Sequence, residues 1–144
     1  MTTTAGLQMT RSINPSTVRK PFGRYSHGML VPPGATLLVT SGQLGIRPDE
    51  TVPDDVGAQA EICFEAIGAI LGEAGMGFAD VIRINAWLTS RADFPAYMAV
   101  RDRFVGSPPP ASTLLIVSGF TRPEFRVEVE ATAASMNAAP RSDP

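Results

Sequence analysis

Cysteine, histidine and lysine each occur once in this sequence, and their scarcity excludes several kinds of protein. Cys63 alone cannot form an intrachain disulfide, which is typical of a chain made in a reducing compartment, so we expect a cytoplasmic location. Cys63 and His27 cannot supply the four soft ligands of a structural zinc site. Lys20 is the only lysine that could form a Schiff base. A structural zinc site is therefore excluded, and although a mononuclear site made of carboxylates stays open, no spacing in the sequence suggests one.

An excess of cations and a long apolar run are also missing. The 144 residues include 12 lysines and arginines against 14 aspartates and glutamates, so there is no surplus of cations to neutralise nucleic-acid phosphates. The apolar runs are much shorter than the roughly 20 residues of a membrane-spanning helix. Hydrophobic residues still make up 44% of the chain, which is enough for one packed core. The composition indicates a globular protein without nucleic-acid or membrane partners.

The distribution of polar residues divides the chain into three parts. Residues 1–20 are polar and lack the apolar segment of a secretory signal, so we expect a flexible leader. Residues 21–135 contain no linker and no internal repeat, which predicts one continuous domain. Residues 136–144 are short, polar and proline-containing, and we expect them to form a flexible tail.

Hydrophobic periodicity in the first half of the domain predicts two strands and a helix. Two apolar runs, residues 25–31 and 36–41, flank a Pro-Pro-Gly-Ala turn, a pattern typical of a hairpin. Apolar residues then recur at steps of three and four over residues 56–74, which predicts an amphipathic helix. Asp54 or Asp55 can supply its N-cap.

The second half predicts a strand, a shorter helix and two further strands. Residues 80–90 alternate between apolar and polar side chains, and Asp93 can cap the helix that follows. Residues 113–120 are apolar on both faces of a strand. Residues 125–131 alternate, with apolar side chains directed inward. The full order is ββαβαββ, an α+β arrangement with two helices.

Two helices can cover only one face of such a sheet, which leaves the other face without a partner. The strand over 113–120 is nevertheless apolar on both faces, and Trp87 lies on the side of its strand that points away from the helices. A symmetry-related copy of the chain is the simplest cover for this second face. The pattern alone therefore predicts an obligate homo-oligomer.

Short motifs in a consistent order support a family resemblance. They are Gly23-Arg24-Tyr25-Ser26-His27, Thr40-Ser41-Gly42-Gln43, the helix over 55–75, Asp93-Phe94-Pro95-Ala96-Tyr97, Pro110-Ala111 and Val127-Glu128-Val129-Glu130-Ala131. In this order and spacing the chain resembles the Rid family (reactive intermediate deaminases, RidA/YjgF) over residues 21–134. The resemblance implies a chorismate-mutase-like fold and a homotrimer whose sheets form a central barrel, with clefts between subunits. It also implies cofactor-independent hydrolysis of small imines or enamines to ammonia and a 2-oxo acid.

The resemblance also implies roles for individual residues. Glu128 corresponds to the family's glutamate on the last strand and Tyr25 to its cleft tyrosine, so both are candidate catalytic residues. Ser41 and Gly42 correspond to the serine and glycine that contact the substrate. A carboxyl group in a partly dehydrated cleft can accept a proton from water, which is the role expected of Glu128. From the alternating pattern alone, Glu128 also suits a solvated strand face.

One position departs from the family pattern at an important point. The family places a carboxylate-binding arginine directly after the Pro-Ala pair, where this chain has Ser112. Leu114 and Met98 replace a cysteine-like residue and an asparagine, and we expect all three residues to line the substrate pocket. Trp87 either lines the cleft between subunits or fills the barrel. We also expect Ser112 to lie at the cleft edge, with Glu128 on the neighbouring strand.

The serine changes the expected substrate preference. An arginine forms a two-pronged, charge-assisted contact with a carboxylate, whereas a serine offers one neutral hydroxyl. Binding of an α-imino acid should therefore weaken by about two orders of magnitude or more, unless another arginine, such as Arg24 or Arg83, takes over. A neutral or differently charged imine is then the better substrate.

Other interpretations of the sequence stay open. The chain could be a non-enzymatic trimer of the same family that binds a small ligand or acts as a regulator, and the changed Ser112 favours that alternative. Some Rid proteins have been described as ribonucleases, but the single lysine and single histidine give little support to that function. Ser26 and His27 are adjacent on a strand and point to opposite faces, so they cannot form a catalytic pair. His27 and Cys63 are expected to be structural.

Overall fold

The alternating and helical patterns of the sequence fold into a five-stranded mixed sheet, with two helices packed on one of its faces, and a separate two-stranded sheet. The computed structural model describes residues 9–138. The strands are β1 (Arg11–Ile13), β2 (Gly28–Leu30), β3 (Thr36–Val39), β4 (Gln43–Leu44), β5 (Val81–Leu88), β6 (Ala111–Ile116) and β7 (Val127–Ser135), and the helices are α1 (Val56–Glu73) and α2 (Phe94–Phe104). No helix within residues 9–138 is long and apolar enough to cross a membrane.

Strand β7 organises the main sheet, which has the order β3-β7-β5-β6. It pairs antiparallel with β3, β4 and β5, and β6 lies parallel to β5 at the opposite edge. Parallel neighbours cannot be joined by a tight turn, and α2 lies in the crossover between them. The chain therefore has the predicted α+β, chorismate-mutase-like fold.

The predicted hairpin between the first two strands was wrong. Strand β2 pairs with β1, with Arg11 opposite Leu30, while β3 pairs with β7. Pro32 and Pro33 carry no backbone N–H, so neither residue can donate a hydrogen bond to a hairpin ladder. Residues 11–13, part of the segment expected to be a flexible leader, are thus a strand. The remaining predictions for residues 1–8 and 139–144 lie outside the described residues.

Helix α1 begins and ends as its sequence predicts. The Asp55 carboxylate accepts the backbone N–H of Ala58 at 2.8 Å, which satisfies one of the free donors of the first turn. Gly75 takes a positive φ of 69° just beyond the last turn, a conformation that glycine adopts without strain. The buried face of α1 packs on the sheet, and its core residues are Val56, Ala60, Cys63, Phe64, Ile67 and Leu71.

Helix α2 begins differently from the prediction. Asp93 stands at the N-cap position, but its side chain makes no capping hydrogen bond. Its Oδ1 instead accepts a hydrogen bond from Arg126 Nη2 at 2.6 Å. The charge-assisted contact with an arginine outcompetes a neutral backbone donor. The following strand also differs from the predicted range of 113–120, since β6 begins at Ala111 and ends at Ile116.

Gln59 is a buried polar residue that ties α1 to two loops. Its Nε2 donates to the carbonyls of Pro53 at 2.8 Å and Glu124 at 2.9 Å. Its Oε1 accepts the backbone N–H of Arg126 at 2.9 Å. One fully buried side chain therefore provides the hydrogen bonds of all three backbone groups.

Gln59→Leu is therefore expected to lower the free energy of unfolding by about 3 kcal/mol, because it leaves buried backbone groups without partners. Urea unfolding followed by circular dichroism measures this. Gln43→Leu serves as the control, since Gln43 loses only one exposed hydrogen bond. An equal loss of stability in the two variants would contradict the role of Gln59.

Within residues 9–138, no helix covers the face of the sheet opposite α1 and α2. Leu37, Val39 and Leu115 lie on it with 60%, 71% and 53% of their surface exposed. Trp87 lies on the same face and pairs across the strands with Leu115 and Glu128. The helices thus cover one face, as expected, and leave apolar side chains on the other.

Candidate functional site

A cavity of about 260 Å³ on the helix-free face surrounds Glu128, and we call it the Glu128 cavity. It forms where β4, β5 and β7 meet the loop after β6. The residues that line it are Gly42, Trp87, Val117, Gly119, Phe120, Glu128 and Glu130. Alternation along β7 places Glu128 and Glu130 on this face, while Val127 and Val129 point into the core.

The environment of Glu128 favours its protonated form more than water would. Burial raises the pKa of the Glu128 carboxyl above its ordinary value, and the nearby carboxylate of Glu130 raises it further. Glu130 is itself held by Asn85, whose Nδ2 donates to Oε2 at 3.0 Å. A carboxylate with a raised pKa is a stronger proton acceptor than one in free solution. Glu128 is therefore a candidate for a general base.

Gly42 allows the Glu128 side chain to lie directly against the backbone. A Cβ atom at position 42 would overlap the Glu128 carboxylate and approach its Cγ to 3.0 Å. Only glycine leaves this space free. Ser41, the preceding residue, is exposed, and its carbonyl accepts hydrogen bonds from Thr40 and Gln43.

A second and larger cavity of about 530 Å³ lies on the helix side, between β6, α2 and the segment before β2. We call it the Tyr25 cavity. Its lining residues are Phe22, Gly23, Tyr25, Phe94, Tyr97, Met98, Arg101, Ser112 and Leu114. The Tyr25 hydroxyl accepts the backbone N–H of Phe22 at 3.1 Å, which fixes the ring in the wall. Four of the residues singled out in the sequence, Tyr25, Met98, Ser112 and Leu114, share this cavity.

Ser112 and Glu128 are not neighbours within one chain, and the prediction that they lie on adjacent strands was wrong. Strand β5 separates β6 from β7. Ser112 is paired with Ile84, on the helix side, whereas Glu128 is paired with Trp87, on the opposite face. The parallel crossover places β6 outside β5. The predicted site residues consequently form two separate groups in one chain.

Arg101 is a buried cation in the Tyr25 cavity that the sequence did not indicate. It is 1% exposed, and its Nη1 donates to Asp102 Oδ1 at 3.2 Å. Its Nε and Nη2 atoms are buried without a partner, as is the hydroxyl of Tyr97. An arginine in a short helix ordinarily suggests a solvated charge. The sequence feature that could have identified Arg101 is its spacing of four residues from Tyr97, which places both side chains on one face of the helix.

Arg24 and Arg83, the two suggested replacements for the missing arginine, are engaged elsewhere. Arg24 donates to the carbonyls of Asp102 at 3.1 Å and Gly106 at 3.2 Å. Arg83 donates to Thr113 Oγ1 at 2.8 Å, on the helix-free face. Neither side chain lines the Tyr25 cavity.

Ser26 and His27 each contact a backbone carbonyl, and Cys63 is buried in the core. Ser26 Oγ donates to the carbonyl of Pro109 at 2.5 Å, and His27 Nε2 lies 2.5 Å from the carbonyl of Arg19. Burial raises the pKa of the Cys63 thiol to about 12, so it stays protonated at neutral pH. Across residues 9–138, histidine, cysteine, aspartate and glutamate side chains nowhere gather in threes around a possible metal position.

The comparisons with known proteins agree with this architecture. The sequence model of the family described as Endoribonuclease L-PSP matches residues 16–135. Protein DfrA of Myxococcus xanthus is 34% identical over 127 residues, covering 87% of this chain and 95% of that protein. The 2-iminobutanoate/2-iminopropanoate deaminase of Dermatophagoides farinae is 31% identical over 122 residues, covering 83% and 92%.

A solved structure gives the same result at the level of the fold. The Yersinia pestis protein YyfB, described as a Rid-family member of unknown function, superposes with a TM-score of 0.76 at 26% identity. The match covers 88% of this chain and 98% of that one. With the family match over most of the domain, these similarities show that the chain belongs to the Rid (RidA/YjgF) family.

Proposed function

We propose that this protein hydrolyses small imines or enamines without a cofactor, with Glu128 as the general base. The observation that carries the proposal is a carboxyl with a raised pKa, set in a cavity on an otherwise uncovered face of the sheet. The relative named as an imine deaminase supports the reaction class. Tyr25 contributes a ring wall and a hydroxyl on the second cavity.

The chemistry needs one water molecule and one proton acceptor. Glu128 takes a proton from water while the oxygen bonds to the imine carbon and the C=N electron pair moves to nitrogen, which then receives that proton from Glu128. In the resulting carbinolamine, Glu128 takes the hydroxyl proton as the carbonyl forms and returns it to the nitrogen, which leaves as ammonia. One imine and one water thus give one carbonyl compound and one ammonia.

A complete site in this proposal needs two subunits. Glu128 and Tyr25 lie on opposite sides of one sheet, so a single chain cannot place both against one small substrate. A neighbouring copy packed on the helix-free face would bring its Tyr25 cavity to the Glu128 cavity. Burial of exposed leucine and valine side chains would stabilise that contact by about 1.5–3 kcal/mol each. Three copies in a closed ring would form three such clefts.

Imines generated in solution test the reaction directly. An amino-acid dehydratase acting on threonine releases 2-iminobutanoate, and the release of 2-oxobutanoate and ammonia is followed with and without this protein. We expect faster release than in water. A neutral imine without a carboxylate is assayed in parallel. Saturable binding with no acceleration for either substrate would overturn the enzymatic function and favour the non-enzymatic binding protein.

The pH dependence of hydrolysis should reveal the pair of carboxylates. The base works only when deprotonated, so kcat/KM rises as the pH increases through the pKa of Glu128. Glu130→Gln removes a negative charge that raises this pKa, and it should move the rising limb to lower pH by about one unit or less. Glu124→Gln is the control, because Glu124 is exposed and pairs with Arg122. If the rising limb of the pH profile of kcat/KM lies at the same pH in Glu130→Gln as in the wild type, the assignment of Glu128 is contradicted.

A further inference from the structure

Arg101 is an unusual residue for a protein interior, because most of its donors have no acceptor. It is 1% exposed, and only Nη1 has a partner, the partly exposed carboxylate of Asp102. Leaving a buried charged group with unmet hydrogen bonds is costly, and proteins rarely retain such a group without a use for it. The unpaired atoms Nε and Nη2 lie along one edge of the guanidinium. That edge presents two parallel N–H groups, the geometry that matches the two oxygens of a carboxylate.

A second unpaired donor lies on the same helix face. The Tyr97 hydroxyl is buried without a partner, and burial raises the pKa of Tyr97, so it remains a neutral O–H. Tyr97 and Arg101 are the most buried residues that line the Tyr25 cavity, so they form its inner end. The rest of the wall is largely apolar, with Phe22, Phe94 and Leu114. The cavity thus has a donor-rich end and an apolar body.

We propose that Arg101 and Tyr97, both on α2, bind the carboxylate of an imino-acid substrate in place of the arginine that is missing at position 112. The substrate part of this inference rests on the proposed function. One guanidinium edge and one hydroxyl suit a singly charged carboxylate better than a phosphate, for which more cations are expected. The apolar wall accepts the substrate's side chain.

This arrangement changes the effect on substrate preference that we expected from Ser112. Ser112 lines the same cavity from β6, and Arg101 reaches it from α2. The cation is therefore supplied by a helix instead of by the strand position that Ser112 occupies, and the small serine leaves that space open. Carboxylate substrates are consequently not disfavoured, contrary to the expectation drawn from Ser112 alone.

Binding of benzoate and benzamide tests the inference without turnover, since the two compounds share a shape and differ in charge. Calorimetry of the wild-type protein should give at least tenfold tighter binding of benzoate. Arg101→Met should weaken benzoate about 100-fold while leaving benzamide nearly unchanged. Arg101→Lys keeps the charge but lacks the two parallel N–H groups, so its affinity for benzoate should lie between those of the wild type and Arg101→Met. Arg103→Met is the control, because Arg103 is an exposed residue of α2 that pairs with Glu61.

Thermal unfolding separates ligand binding from a structural role. Removing a buried cation that has most of its donors unsatisfied should leave Tm unchanged or raise it, whereas removing one that stabilises the fold should lower it. A lower Tm in Arg101→Met, or equal affinity of the wild type for benzoate and benzamide, would overturn the proposal. In the hydrolysis assay, Arg101→Met should raise KM for 2-iminobutanoate far more than it lowers kcat. Unchanged kinetics in Arg101→Met would contradict the assignment of Arg101 but not the proposed imine hydrolysis. Selective binding of benzoate by a protein that hydrolyses no imine would contradict the proposed hydrolysis but not the assignment of Arg101.

Discussion

Glu128→Gln is expected to lower kcat/KM for imine hydrolysis by about 100-fold or more while leaving the fold intact. Glutamine has nearly the same shape and can still accept a hydrogen bond from water, but it cannot take the proton. The water must then attack without a base. The coupled release of 2-oxobutanoate measures the loss. Glu130→Gln is the matched control, because it removes a carboxylate two residues away on the same face and should retain most of the activity.

Stability measurements can show that this loss is not caused by unfolding. The pKa of Glu128 is higher in the folded protein than in the unfolded chain, so the charged form is disfavoured by folding. Its contribution to stability therefore falls as the pH rises through the raised pKa. At pH 7 and above, Glu128→Gln should unfold at the same temperature as the wild type or at a higher one. Full activity in a well-folded Glu128→Gln protein would exclude Glu128 as the base.

The double variant Val39→Glu, Leu115→Glu is expected to dissociate a three-chain assembly and to abolish hydrolysis. Both side chains are more than half exposed in one chain, so charges there cost little in a monomer. In an assembly that covers this face, the same charges would be buried without partners, which is strongly unfavourable. Sedimentation equilibrium should show a mass near three chains for the wild type and near one for the variant. Leu30→Glu is the control, since Leu30 is similarly exposed on β2, outside the main sheet.

Mixed assemblies test whether each site is shared between subunits. Chains with Glu128→Gln and chains with Tyr25→Ala are expected to be nearly inactive when each is assembled alone. After unfolding and refolding together in equal amounts, about a quarter of the clefts should combine two intact halves and recover activity. No recovery from well-formed mixed trimers would show that both residues act from the same chain. A wild-type protein that is a stable monomer would remove the shared site altogether.

The sequence by itself determined the local structure and the direction of its side chains. The helical spacing and Asp55 fixed the extent of α1, and the alternation on the last strand turned Val127 inward and Glu128 outward. The sequence also predicted that the second face of the sheet is apolar and uncovered by helices, because two helices cannot cover both faces. These features depend on residues close together in the chain, so short patterns are enough to predict them.

Only the tertiary structure decided which elements are neighbours. Alternation gives a strand's faces but not its partner, so it could not show that β2 pairs with β1 or that β5 separates β6 from β7. It also could not show that Asp93 would bind Arg126 instead of capping its helix. Arg101 is the clearest case. A charged residue in a helix becomes a buried cation with unsatisfied donors only after β6 and the distant segment before β2 enclose it, and packing of that kind leaves no local trace in the sequence.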